Sequence, residues 1–344
     1  MSINLISLKS HDLEKILLEL NAPLYRKNQV LKWIWAKSEN NIENFSDLPK
    51  SLRKFLSESF SITRAKPVSI LHSNDGSIKF LIELENGDQV ESVFIPDVGR
   101  NTICVSSQVG CPLKCQFCAT GRLGFTRNLK FYEILEQVRI VRDYVQLRIT
   151  NVVFMGMGEP FLNYEEVIES ARIINSNFAF GIGARKITIS TAGIIPGIIK
   201  LSEEPEQFKL AVSLNSAIQE KRERLMPIAR KYTLDDLKKS LLTYYERKQR
   251  WITFEYILIP EVNDSKEDIN ALAEYANAIP SKVNVIPFNP HPYSPFRAPT
   301  EEEVEIFLNK LRKKIKRAVT LRKSKGTDIK GACGQLAYFL KSKE

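Results

Sequence analysis

Histidine and cysteine are scarce in this chain, and no long hydrophobic run occurs. The three histidines, His11, His72 and His291, share no ligand-like spacing and offer no histidine-built metal site. No apolar stretch approaches the roughly 20 residues that a membrane-spanning helix needs, so no membrane association is expected. The opening run M-S-I-N-L-I-S-L-K-S-H-D-L-E carries acidic residues early and lacks a long apolar centre, so it does not read as a secretory signal. Five cysteines is an odd count, and three of them crowd together too closely to bridge one another usefully. That speaks against a secreted disulfide scaffold and for a reducing, cytoplasmic setting. Internal repeats and low-complexity stretches are also missing.

What remains is the composition of an ordinary globular protein. Of 344 residues, 43% are hydrophobic and 26% charged, enough for one large domain and a smaller one. Lysine and arginine outnumber acids by 50 to 40, a net charge of +10. Such a balance favours a polyanionic partner, nucleic acid being the commonest. The densest basic stretch, Lys310 to Lys325, holds nine Lys or Arg and no acid. It reads either as a solvated helix face followed by a strand or as a phosphate-contacting surface.

Periodicity divides the chain. Leu13, Ile16, Leu17 and Leu20 fall on one helical face after Ser10, a candidate N-cap. Further helices are expected near Gln29–Ala36 and Pro49–Glu58. Alternation at Ile78, Phe80, Ile82 and Leu84, then Asn86-Gly87, then Val90 to Ile95, predicts a β-hairpin. Residues 1–96 are thus expected to form a small accessory domain, with a linker near Pro96–Arg100. Beyond it short strands alternate with helices. Strands are expected at Thr102–Ser106, Asn151–Met155, Lys186–Ser190, Lys209–Leu214, Ile252–Leu258 and Lys282–Pro287, with a further candidate at Ala318–Arg322. Helices are expected at Phe131–Leu147, Tyr164–Asn175, Leu234–Lys248, Lys266–Ala278 and Glu301–Lys316. The alternation predicts an α/β fold with a parallel sheet that six units can curl into a barrel or part of one. In such barrels chemistry gathers at the carboxyl ends of the strands.

That rim is where the informative residues fall. Cys111, Cys115 and Cys118, in V-G-C-P-L-K-C-Q-F-C-A-T-G, follow the first strand with C-x3-C-x2-C spacing. No fourth cysteine or histidine follows to complete the tetrahedron of a closed zinc site. Three thiolates that leave a coordination position open suit an iron–sulfur cluster that binds something else. A zinc knuckle or buried structural thiols are the alternatives. Met155-Gly156-Met157-Gly158-Glu159-Pro160 ends the second unit's strand, Ser190 the third, Ser213-Leu214-Asn215 the fourth, and Phe288-Asn289-Pro290 the sixth.

The cysteine triad, with aromatic Phe117 before its last member, resembles the signature of the radical S-adenosylmethionine (SAM) enzymes. The resemblance implies a radical SAM partial (β/α)6 TIM-like barrel in which Cys111, Cys115 and Cys118 hold a 4Fe-4S cluster that binds SAM. By the same resemblance Gly158 and Glu159 meet the amino group of SAM, and Ser190, Ser213 and Asn289 contact it. The resemblance also brings Leu214 and Asn215 to SAM, where relatives usually read Leu-His; an asparagine can donate and accept but cannot become cationic. Cys104, in T-I-C-V-S-S-Q-V-G-C, and Cys333, in D-I-K-G-A-C-G-Q-L, extend the likeness to the RlmN/Cfr family of RNA adenine methyltransferases, over about residues 20 to 340.

Membership of that family would imply a division into an accessory, RNA-contacting unit at 1–96, a core at 97–326 and a segment at 327–344 carrying Cys333. It would imply methylation of carbon 2 of adenosine in 23S ribosomal RNA and in transfer RNA. Two SAM molecules would be used per turnover, Cys333 carrying the methyl group and Cys104 resolving the adduct through a transient disulfide. An external reductant, such as a flavodoxin-type donor, would be needed. Glu91, in D-Q-V-E-S-V-F-I-P, matches the family's proton acceptor; its apolar neighbours would desolvate it, while strand alternation equally allows it to face outward. Methylation at carbon 8 is the nearest alternative, and a non-catalytic zinc-bearing RNA-binding protein a remote one.

Overall fold

A computed structural model describes residues 3–336. The chain opens with a two-residue strand β1 (Ile3–Asn4), then α1 (Ser10–Glu19), α2 (Arg26–Leu31), which continues into a π-turn at Lys32–Ala36, and α3 (Lys50–Ser59). β2 (Phe60–Ser61) pairs with β1. The three helical segments sit near their expected places. Ser10, however, is the first helical residue; Lys9 holds the cap position, and its side chain caps nothing.

Next come β3 (Lys66–His72), β4 (Ile78–Glu83), β5 (Gln89–Asp97) and β6 (Arg100–Cys104), joined as antiparallel neighbours. The Asn86-Gly87 turn joins β4 to β5, and Gly87 takes φ +83° there. Between β5 and β6 the expected linker is a two-residue turn. Asp97 pairs with Arg100 in register, the Asp97 carboxylate accepts the Val98 N–H, and Gly99 adopts φ +66°. The proline and glycine that suggest a linker are here the parts of a tight hairpin. Strand β3 escapes prediction because Pro67 interrupts its pattern; the proline sits at an irregularity of an edge strand, where it is tolerated.

The remainder is β7 (Gln108–Gly110), β8 (Phe125–Asn128), α4 (Phe131–Val145), β9 (Asn151–Phe154), α5 (Tyr164–Asn175), β10 (Ile187–Thr191), α6 (Ile195–Glu203), β11 (Lys209–Ser213), α7 (Gln219–Leu225), α8 (Leu234–Lys248), β12 (Ile252–Leu258), α9 (Lys266–Asn277), β13 (Ser281–Pro287), α10 (Glu301–Arg312) and β14 (Val319–Leu321). Helix starts follow their caps: Thr233, Ser265 and Thr300 each accept a backbone N–H from the first turn. Helix α6 is unexpected from I-I-P-G-I-I. Its Pro196 lies in the first turn, where no helical N–H is lost.

One ten-stranded sheet, in the order β14-β13-β12-β11-β10-β9-β6-β5-β4-β3, carries the molecule. From β6 to β14 all neighbours are parallel, with helices between, which gives the α/β open barrel that the resemblance implies. Strands β5, β4 and β3 extend that same sheet antiparallel from β6. Its apolar positions and those of the covering helices form one continuous core, including Ile103, Phe154, Ile189, Phe254 and Val283. No described helix is long and apolar enough to cross a membrane.

Candidate active site

Parallel strands end together, so the loops after β6, β9, β10, β11 and β13 meet at one rim. There they open onto a cavity of about 830 Å³. Cys104, Cys111, Cys115, Cys118 and Cys333 all line it. The cysteine loop leaves β7 with a sharp turn. Gly110 has φ +76°, and a Cβ added there would lie 2.0 Å from the Gly124 carbonyl oxygen. That oxygen accepts the Cys111 N–H at 2.7 Å. Lys114 takes φ +54°, the Gln116 N–H reaches the Leu225 carbonyl, and Cys118 donates to Cys115. Backbone bonds thus shape the loop, leaving the thiols for the cavity.

The donor set among the described residues is three thiols with no fourth ligand beside them. Among the described residues no three His, Cys, Asp or Glu side chains close on one metal ion. Every cysteine and histidine of the chain is described, so a four-ligand zinc knuckle has no constellation here. Burial pushes the Cys111 thiol up to about 12 and Cys115 well above its usual value, the other thiols of the triad adding to the effect. Thiols so placed give up their protons when a metal takes them. Arg222 is fully buried behind this loop. It donates to the carbonyls of Leu214 and Ala192, while its third nitrogen, Nη1, has no hydrogen-bond partner among the described residues. Its charge acts on Cys115. A buried guanidinium whose charge reaches Cys115 complements an anionic cluster.

Glu159 is brought to the same cavity. One carboxylate oxygen accepts the Phe161 N–H at 3.0 Å, the other the Ala192 N–H at 2.7 Å. Burial raises its pKa to about 7, against those hydrogen bonds. Gly158 (φ +102°) lies against Gln108, 2.6 Å from where its Cβ would be, so no larger residue fits. Ser190 and Ser213 line the cavity. Asn215 does too, but its amide oxygen accepts the Ile257 N–H and its nitrogen points at the Met226 sulfur. Leu214 turns into the apolar core. Asn289 donates to the Cys333 carbonyl at 3.1 Å.

Cys333 lies on a loop tied at both ends. Asp75 accepts the Gly326 N–H, and Asp328 accepts from Ser73 and Asn74. Beyond the cysteine, the Gly334 carbonyl accepts the Ala119 N–H of the cluster loop. Positions 337–344 of the expected C-terminal segment lie outside the described residues. Cys333 presents an exposed thiol to the cavity, where the surrounding protein still pushes it up to about 11; burial pushes Cys104 up to about 12, and Arg322 pulls both down. Arg322 belongs to the basic stretch, but it turns inward onto Glu255 (3.8 Å) and Met155 (3.3 Å); Lys310, Lys313 and Lys314 stay exposed.

Glu91 is the exception to the gathering. It is wholly buried, does not line the cavity, and lies 3.0 Å from Lys79. Of the two orientations open to it, the inward one is realised. Lys79, Arg222, Arg322 and Glu255 carry no motif and were not predicted. His291, which shares no ligand-like spacing with the other histidines, sets its ring nitrogen 3.2 Å from the Phe117 carbonyl of the cluster loop.

Comparison with known proteins agrees with this geometry. Residues 105–276 match the model of the radical SAM superfamily, and residues 3–62 that of the ribosomal RNA large subunit methyltransferase N-terminal domain. A probable dual-specificity RNA methyltransferase RlmN from Dictyoglomus turgidum is 41% identical, over 99% of this chain and 98% of that one. A dual-specificity RNA methyltransferase RlmN from Alcanivorax borkumensis is 40% identical, over 99% and 92%. The crystal structure of a radical SAM methyltransferase from Sphaerobacter thermophilus superposes with a TM-score of 0.89 at 39% identity, covering 97% of this chain and 99% of that one. Triad, glycine-rich turn and full-length likeness together place the chain in the RlmN family of radical SAM RNA methyltransferases, whose superfamily implies a 4Fe-4S cluster and SAM.

Proposed function

We propose that this enzyme methylates carbon 2 of adenosine in 23S ribosomal RNA, at the peptidyl-transferase centre, and in transfer RNA beside the anticodon. The observation that carries the reading is that all five cysteines line one cavity: three belong to the closely spaced triad, and two remain for covalent chemistry. Carbon 2 of adenine is electron-poor and has no lone pair, so it cannot attack a methyl group directly. Cluster and SAM, when bound, supply the one-electron chemistry that such a carbon requires. Cys111, Cys115 and Cys118 would hold the cluster; Gly158, Glu159, Ser190 and Ser213 would contact SAM. Two SAM molecules serve each turnover, one of them as methyl donor to Cys333.

The protein's own residues do the rest. Cys333 carries the one-carbon unit, and its thiol gives up a proton beside Arg322 when it takes that unit. Once the carbon is joined to the base, Glu91 accepts the ring proton while the odd electron of the adduct would return to the one-electron system that the bound cluster supplies; this requires the Glu91 side chain to swing from Lys79 toward the cavity. Cys104, as thiolate, attacks the sulfur of Cys333. The sulfur–carbon bond breaks, and its electron pair stays with the carbon, which takes up a proton to complete the methyl group. A Cys104–Cys333 disulfide is left, and an external two-electron reductant restores both thiols. Asn215 and Asn289 hold backbone in place, and Leu214 packs in the core. The base must leave its stack to reach Cys333, so looped or single-stranded sites are the targets, with the N-terminal helical unit contacting the RNA.

Mass spectrometry of nucleosides from RNA treated with the reconstituted enzyme tests the proposal. 2-Methyladenosine in both RNAs is the expected product. 8-Methyladenosine would replace the carbon 2 assignment with carbon 8.

A further inference from the structure

The lower end of the barrel holds a second feature that the reaction does not use. Barrels of this type usually fill their interior with layers of branched apolar side chains. Here the cavity continues to the amino-terminal ends of the strands, where cations and hydroxyls line it: Arg100, Lys209 and Lys282, with Thr102, Thr188 and Thr253. Arg100 and Lys209 open β6 and β11, and Lys282 is second in β13, so all three stand at one mouth. Lys209 is in register with Thr188, and Lys282 with Thr253, so each ammonium has a hydroxyl on the neighbouring strand.

Acids do not balance this mouth. Among the described residues neither Lys209 nor Lys282 has an ion-pair partner, and Arg100 donates only to Thr102. Asp97 lies on the rim but pairs with Lys325. Glu255, further along the barrel, feels the charge of Lys282 but has its contacts with Asn284 and Arg322. Arg100 and Lys209 are exposed at the mouth and Lys282 is half-buried; partial desolvation and the neighbouring charges of Lys282, Lys186, Arg100 and Arg250 hold the Lys209 ammonium below its usual pKa. Like charges at such spacing repel one another and are relieved by a shared anion.

We propose that the amino-terminal mouth of the barrel is a binding site for a small phosphate-bearing anion, held by Arg100, Lys209 and Lys282 and hydrogen-bonded by the threonines. The site is distinct from the SAM and RNA end, because the cysteine loop leaves the opposite ends of the strands. Two point-charge ammoniums and a guanidinium suit the dispersed oxygens of a pyrophosphate group.

The test is phosphorus-31 NMR titration of the anaerobic, cluster-loaded full chain with pyrophosphate in low-salt buffer. Saturable binding is expected. Lys209→Gln combined with Lys282→Gln should weaken it about tenfold or more, leaving SAM affinity unchanged. Lys50→Gln with Lys54→Gln, exposed on α3, should leave it unaltered. No saturable binding by the wild type, equal weakening by the α3 pair, or displacement of pyrophosphate by SAM would each overturn the proposal.

Discussion

Lys79 places its ammonium 3.0 Å from a carboxylate oxygen of Glu91, with the two side chains only 6% and 0% exposed. The same ammonium lies 3.4 Å from the carbonyl of Lys330, three residues before Cys333. One lysine therefore joins the carboxylate proposed to take the ring proton to the loop that carries the acceptor thiol. Breaking a buried pair from one side leaves the other charge without its counter-ion, at a cost of up to about 3–5 kcal/mol. Lys79→Met is expected to lose stability on that scale in urea denaturation. Lys79→Met combined with Glu91→Leu should recover much of the loss, since no charge is then left unpaired. If the double variant were as unstable as the sum of the two singles, the pair would not be coupled.

Gly110→Ala tests the cluster loop. A methyl group there would sit 2.0 Å from the Gly124 carbonyl that holds the Cys111 N–H, and the residue's φ of +76° adds strain. The variant should fold its sheet, as read by far-ultraviolet circular dichroism, yet take up far less iron than the wild type. Full iron incorporation would show that the loop needs no such turn.

These two cases mark what could be read in advance. The cysteine triad, Gly158-Glu159 and the strand–helix alternation announce themselves because their spacing is local. Lys79 and Glu91 are diagonal neighbours on β4 and β5, and only the sheet register makes them partners. Arg322 sits in a basic stretch that reads as solvated surface, and Arg222 in a short polar helix. Both are drawn inside by groups far along the chain: Glu255 and Met155 for one, Leu214 and Ala192 for the other. Pro67, Pro96 and Pro196 mislead in the same manner. Each looks like a break, while an edge strand, a strand end and a helix first turn accommodate them.

Glu159 gives the protein without cluster a pH-dependent stability. Its folded pKa of about 7 lies above the ordinary value of 4.5. Below 4.5 the carboxyl is protonated in both states; between 4.5 and 7 only the folded state keeps the proton. Stability from this group is therefore full at low pH and is lost as pH rises through 7, by on the order of 3 kcal/mol at most. Urea midpoints of the wild type relative to Glu159→Gln should fall from pH 5 to pH 8. A constant difference between the two would contradict the raised pKa.

Cys104→Ala separates the two spare thiols. Without the resolving thiolate, the sulfur–carbon bond joining Cys333 to the base has nothing to cleave it. The variant should keep its cluster and accumulate a covalent protein–RNA adduct, visible as a shifted band in a denaturing gel and absent once Cys333→Ala is added. Free methylated RNA at the wild-type yield would remove Cys104 from the mechanism.

Asn289→Ala addresses how the acceptor thiol is held in place. Asn289 donates to the Cys333 carbonyl at 3.1 Å and is itself buried. Gly334, the next residue after Cys333, is held to the cluster loop by a separate bond from Ala119, and Gln335 reaches the Pro290 carbonyl. Losing one of several ties should leave the fold and iron content intact, at a stability cost of about 1 kcal/mol. The thiol itself would be less well aimed, and small errors of aim are costly when a methyl group must be received in line. The rate of Cys333 methylation, followed by mass spectrometry of the protein in the absence of RNA, should fall severalfold at saturating SAM, with SAM affinity little changed. A fall in SAM affinity with an unaltered methylation rate would instead make Asn289 a direct SAM contact, as the family resemblance implies.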